Sequence, residues 1–234
     1  MIKKFALFCL VLTTFSCAEL QQVVNSLPNE TGNNPLDIAG GLRQALDFGI
    51  DKQVTKLTQK DGFYKNNLVK ILLPEELRKV DKALRDIGLS SLADDGLKAI
   101  NRAAEDAVKE ATPIFVNAVK DITFTDAKNI LLGNDRAATS YLQGKTNSAL
   151  YSKFNPVIQN SFGKVGADQI WENIINRYNT IPFVNQVNPD LTDYVTNQAL
   201  KGVYKMIAVE EKNIRTKVSS RTTTLLQKVF AMQD

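Results

Sequence analysis

The chain has 234 residues, 44% of them apolar and 8% aromatic, which is enough for one large packed domain or two small ones. Its 29 basic and 25 acidic residues give a net charge of +4 without any basic block, so the sequence carries no nucleic-acid footprint. There is no histidine and there are only two cysteines, which removes the commonest general base and leaves little for a soft metal ligand set or a thiol nucleophile.

Both cysteines belong to the start of the chain. In MIKKFALFCLVLTTFS, Lys3 and Lys4 precede an apolar run from Phe5 to Leu12, the layout of a secretory signal. The run is too short to span a bilayer, which takes roughly 20 apolar residues. Thr14 and Ser16 then lead directly into Cys17, and the segment resembles a bacterial lipobox, in which the cysteine thiol receives a diacylglyceryl group and the peptide is cut before it. Plain secretion and an uncleaved anchor are the alternatives. With a signal peptide over 1–16, Cys9 leaves and Cys17 carries lipid, so the mature protein has neither a free thiol nor a disulfide and holds itself by packing. Ala18 rather than aspartate follows the cysteine, which by resemblance to sorting rules in other bacteria places the anchor in the outer membrane, facing the periplasm.

Residues 17–35 read as the lipidated cysteine and a polar tether, with a reach on the order of 20 to 25 Å for a coil of that length. The domain occupies 36–234. Asn34, Pro35 and Asp37 announce a helix whose face runs through Ala39, Leu42, Leu46, Gly49, Ile50, Val54 and Leu57. Gly40, Gly41 and Gly49 are each unfavourable there by about 1 kcal/mol against alanine, and close helix contact is the expected compensation. Asp61, Gly62 and Phe63 end this helix in a turn. Leu68–Pro74 reads as a buried extended strip, and Thr180–Pro189 as a second that pairs with it. Helical spacing resumes after Pro74 with Leu77, Val80, Leu84 and Ile87, supported by Glu75 with Lys79 and Asp81 with Arg85. Gly88 stops it.

The stretch Leu89–Ile122 predicts one long core helix, opened by a capping box of Ser91 and Asp94. Its apolar stripe is rich in alanine, so neighbouring helices approach closely, while Asn101, Arg102, Glu105 and Asp106 line the other side. Thr123 and Asp126 form a second capping box for a short helix ending at Gly133. Asn134 or Asp135 caps a further turn or two, closed by Gly144. A helix from Thr146 kinks at Pro156. Others follow over Ile170–Tyr178, from Asn188 to Ile214, and from about Ser220 to Phe230. The fold class is therefore all-α, a single domain of about seven to nine helices with one or two short extended strips.

Serine-nucleophile, phosphate-loop and dinucleotide motifs are missing, and Asp47 with Asp51 and Asp190 with Asp193 lack the dense oxygen ligands that calcium prefers. No metal site or cofactor is predicted. Two polar constellations remain. In NRAAED, Arg102 and Asp106 are one turn apart, as are Asn101 and Glu105, which reads as surface pairing. In EEKNIR, Glu210 falls on the apolar stripe, where a carboxylate must be paired or protonated. Arg102, Arg136, Arg215 and Arg221 are its candidate partners, and a buried ion pair stands beside a ligand-facing carboxylate.

LRQALDFG, KDGF, NRAAEDA, TPIFVNAVKDITFTDAKNILLGNDRAATSYL, FNPV and EEKNIR with Arg221 and LLQKVF, taken in that order from Leu36 to Phe230, resemble the bacterial domain-of-unknown-function family 4197. The resemblance implies an envelope-exported, often lipid-anchored helical protein of unassigned activity. It marks Asn101, Arg102, Glu105, Asp126, Arg136, Thr139, Glu210, Arg215 and Arg221 as motif residues without chemical roles. Val218 stands where the family pattern has a proline, so the turn before the last helix is expected to differ. The preferred expectation is a noncatalytic binding or scaffolding module, held to the membrane by lipid and contacting an envelope protein or a small molecule, with no nucleic acid. Its rivals are a hydrolase or lyase using Glu105 or Glu210, and a carrier of an apolar ligand in a cavity of roughly 300 Å³ or more.

Overall fold

Pro113 divides what periodicity alone joins. Its ring would press on the carbonyl of Lys109 in a continuous helix, and it has no N–H to give that carbonyl. The chain instead makes a tight turn at Lys109 and Glu110, whose amides donate to Asp106 O (3.3 Å) and Ala107 O (3.1 Å). The predicted single helix over Leu89–Ile122 is thus two, and Pro113 sits in the first turn of the second, where no bond is lost.

The computed structural model describes residues 38–231 except 87, 89, 165–175, 177–178, 181–185 and 187–189. These belong to one compact unit, Asp37–Asp234. The expectations for the signal, Cys17, the tether, the Asn34 cap, the helix over Ile170–Tyr178, nearly all of the Thr180–Pro189 strip and the Asn188 start lie outside the described residues.

The helices are α1 (Ile38–Thr58), α2 (Glu75–Asp86), α3 (Ser90–Val108), α4 (Ala111–Lys120), α5 (Phe124–Leu131), α6 (Ala137–Gly163), α7 (Leu191–Thr216) and α8 (Thr224–Phe230), with a 3-10 turn at Val218–Ser220. Among the described residues there is no strand, so the fold is all-α. The long helices α6 and α7 pack on each other, α3 and α4 lie against α6, and α1 packs on α4, α5, α7 and α8. The core between them holds Leu42, Ile50, Leu57, Phe63, Ala104, Phe115, Leu142, Phe154 and Ile207. None of the described helices is long and apolar enough to cross a membrane.

Several local expectations change. Gly144 does not stop a helix, because α6 runs unbroken through it and through Pro156. Gly144 is exposed with nothing near it, and Thr146 folds its hydroxyl back onto Leu142 O at 2.7 Å, so neither interrupts the helix. Ser91 lies inside α3, which begins at Ser90, and Asp94 accepts from Arg85 (2.8 Å) rather than closing a box. The last helix starts at Thr224, capped by the Thr223 hydroxyl, because Val218–Ser220 is taken up in the 3-10 turn, with Val218 exposed. The close contact expected at the glycines is present. A Cβ at Gly41 would stand 2.5 Å from Val229 Cγ2 on α8.

Candidate functional site

The loop after α1 is built around a carboxylate. Asp61 takes a left-handed conformation (φ 67°), and Gly62 admits no Cβ because one would meet Leu57 O at 2.6 Å. The turn therefore directs three of its amides inward, and Glu105 of α3 receives them: Asp61 N at 3.2 Å, Phe63 N at 3.1 Å and Tyr64 N at 3.4 Å. Glu105 is 4% exposed, so those donors stand in for water around a buried acid. One turn earlier, the fully buried Asn101 accepts from Ile71 N (2.8 Å) and donates to Ile71 O (2.9 Å). Ile71, in the segment before Pro74, thus satisfies both of its backbone groups on one side chain. The surface reading of Asn101 and Glu105 is corrected: both face inward onto a loop that has no helix of its own. Arg102 and Asp106 do stay outside, but they do not pair with each other. Arg102 reaches Asp61 (3.2 Å) and Asp106 takes Lys109 (2.7 Å).

The second assembly closes the turn between α5 and α6. Arg136 holds the N-cap position before α6, and its side chain supplies no cap. Glu211 of α7 supplies it from across the core, accepting from Ala138 N (2.9 Å), Thr139 N (2.8 Å) and the Thr139 hydroxyl (2.7 Å). Arg215, one turn along α7, donates to Glu211 through Nε (3.1 Å) and Nη2 (2.9 Å). The same guanidinium donates to Ile130 O (2.7 Å) and Leu131 O (3.2 Å) at the end of α5. An anion thus meets a helix N-terminus and a cation a helix C-terminus, each the favourable sign for the dipole it faces. Arg221 does the same for α7, donating to Ile214 O and Arg215 O at 3.0 Å each.

Glu210, predicted to be buried, is 3% exposed, but none of the four candidate arginines is its partner. Lys52 (2.6 Å) and Gln53 (2.8 Å) of α1 bind it instead. Helix α1 presents both because Gly49 lets it approach, a Cβ there standing 3.4 Å from Glu210 Cγ. Asp126 closes its predicted capping box with Thr123. The Thr123 hydroxyl and then its amide hold that carboxyl below the usual 3.8. Arg136 is exposed and joins nothing in this set. The predicted cluster is therefore several junctions: Thr139 and Arg215 meet through Glu211, with Arg221 on the Arg215 carbonyl, Glu105 and Asn101 hold one loop that Arg102 reaches at Asp61, Glu210 is tied to α1, and Asp126 and Arg136 stand apart. Sequence reasoning missed Glu211, Lys52 and Gln53. The four-residue spacing of Glu211 and Arg215 was the available signal for the first; nothing local marks the other two.

A model of a family described as proteins of unknown function, DUF4197, matches residues 33–231. The chain belongs to this family. No curated protein and no solved structure matches it. In this DUF4197 chain a cavity between α1, α7 and α8 is lined by Leu46, Ile50, Ile207, Glu210, Arg215 and Phe230, among others, and measures about 20 Å³. That is room for one water, far from the roughly 300 Å³ of a carrier. Glu105 is not among its lining, so this cavity does not bring the two candidate acids together. Among the described residues no group of three or more acidic side chains is placed to hold a metal ion.

Proposed function

We propose that this DUF4197 protein is a lipid-anchored envelope protein, tethered through Cys17 to the outer membrane and facing the periplasm, that works as a noncatalytic binding or scaffolding module. The observation that carries the second half is the use already made of its buried polar groups. Glu105, Glu211, Arg215 and Arg221 each hold backbone amides or carbonyls, and Glu210 is tied to Lys52 and Gln53. A general base needs an unoccupied lone pair facing substrate, whereas a scaffold needs its junctions fastened. The signal, apolar run and cysteine of the first seventeen residues support the anchor.

Metabolic labelling with a palmitate analogue, in the wild type and in Cys17→Ser, tests the anchor: label is expected only in the wild type. In-cell photo-crosslinking from surface positions tests the module and is expected to recover a discrete envelope partner. Label retained in Cys17→Ser refutes the anchor, and failure to recover any partner or ligand removes the basis for the scaffold.

A further inference from the structure

Every carboxylate of α7 is turned inward or held by neighbours, while its lysines are not. Glu210 and Glu211 are buried in the contacts above, and Asp193 accepts from Tyr151 (2.7 Å) and Asn197 (2.9 Å). Lys201, Lys205 and Lys212 all face solvent, and their spacing of four and seven puts them along one side of the helix. Helix α1 lies next to this stripe. Gly49, Lys52 and Gln53 of α1 all meet Glu210, which sets the two helices side by side. Ile50 and Val54 of α1, with Ile207 and Ile214 of α7, face the core. The opposite edge of α1 carries Phe48, Lys52 and Lys56, again at steps of four, and all are exposed. The paired helices thus present one outer face with five lysines. Among the described residues Lys56, Lys201 and Lys205 enter no ion pair, Lys212 only approaches Asp135 at 4.0 Å, and Lys52 holds Glu210 while staying about half exposed. Between these lysines, Phe48 is 46% and Val209 37% exposed.

Basic side chains with apolar ones set among them fit a charged interface that has an apolar layer just beneath it. Anionic lipid headgroups over acyl chains have that composition, with lysine drawn to the surface potential and the apolar side chains entering the headgroup boundary. A nucleic-acid strand would call for aromatic stacking platforms in a basic groove, and this face has one phenylalanine on a ridge. We propose that the outer face of α1 and α7 docks onto bilayers rich in anionic lipid. The inference rests on the envelope reading for its choice of a bilayer, and its test is independent of the anchor.

Full-length Cys17→Ser protein, which cannot be acylated at that position, is floated with vesicles of phosphatidylcholine alone and of phosphatidylcholine and phosphatidylglycerol in equal parts. Binding is compared with that of Lys201→Glu/Lys205→Glu and of a control pair with the same charge change elsewhere, Lys128→Glu/Lys153→Glu, all in the same background so that the N-terminal segment contributes equally. Each lysine at the surface is worth about fivefold, so the α7 pair should lower affinity for the anionic vesicles by about 25-fold or more, and the control pair by less than about threefold. Phe48→Ser should weaken the binding that survives high salt. Circular-dichroism melts are expected to match across the set, since every altered side chain is exposed. No preference of the parent for anionic vesicles, or equal losses in the two pairs, overturns the proposal. So does displacement of the parent from the vesicles by a nucleic-acid oligomer when Phe48→Ser binds like the parent. A failed palmitate label would leave this result standing, and the reverse also holds.

Discussion

Glu211→Ala is the most discriminating single change. It leaves the Arg215 guanidinium buried without its carboxylate and strands the amides of Ala138 and Thr139 together with the Thr139 hydroxyl. Removing one member of a buried pair costs about 3 to 5 kcal/mol, chiefly because the remaining charge is uncompensated. For a chain of this size each kcal/mol lowers Tm by about 2 to 4 °C, so a fall of roughly 6 to 20 °C is expected. Combining it with Arg215→Met removes the stranded charge, although Ile130 O, Leu131 O and the α6 amides stay uncapped. The double variant should therefore be destabilised by less than the sum of the singles, with a coupling of about 1 to 3 kcal/mol. Thermal and urea unfolding followed by circular dichroism measure both quantities. A single-variant loss below about 1 kcal/mol, or strict additivity, would refute the view that this pair fastens the α5–α6 turn.

Gly41→Ala should destabilise by about 1 to 3 kcal/mol despite the better helix propensity of alanine, because its Cβ would meet Val229 Cγ2 at 2.5 Å, and a thermal melt reads it. Gly144→Ala, with nothing within 4 Å, should do the opposite and stabilise by about 0.5 to 1 kcal/mol in the same assay. Asn101→Leu strands both backbone groups of Ile71 and should cost about 1 to 3 kcal/mol, with hydrogen exchange at the Ile71 amide accelerated well beyond that at α6. The Asp126 carboxyl is held below 3.8 by Thr123, so its contribution is present above that pH and disappears as pH falls through the folded-state value. Asp126→Asn should accordingly flatten the decline of Tm below pH 4 and leave its slope near neutrality unchanged.

The sequence was most informative where the controlling physics is local. The stripe of α1, the Thr123–Asp126 box and the burial of Glu210 follow from spacing within one or two turns, and each stands in the structure. Errors arose where a partner comes from far along the chain. The partners of Glu210 lie 158 and 157 residues away, and those of Glu211 on α6 lie 73 and 72 away, so no window along the chain contains them. The break before Pro113 is local information, since the proline overrides the apolar period that runs through it. Gly144 is the opposite case: in the middle of a helix already packed on α7, about 1 kcal/mol of propensity does not stop propagation.

These cases share a reason for the fold to place charged and amide side chains in its interior. Helices α5 and α6 are joined by a short turn flanked by the last carbonyls of α5 and the first amides of α6, which lie in the core where water cannot satisfy them. Helix α7 is the element that can, because it runs the length of α6 and reaches both the end of α5 and the outer edge of α1. Its sequence EEKNIR divides the work by helical angle. Glu210 points to α1, Glu211 to the start of α6, and Arg215, one turn on, to both Glu211 and the end of α5, while Lys212 is left facing solvent. Shifting the motif by one residue would rotate every group by about 100° and break all three junctions at once. A run of charged residues on a core helix can thus be required by packing alone, and in this chain the place to look for binding is the lysine face that the same periodicity leaves outside.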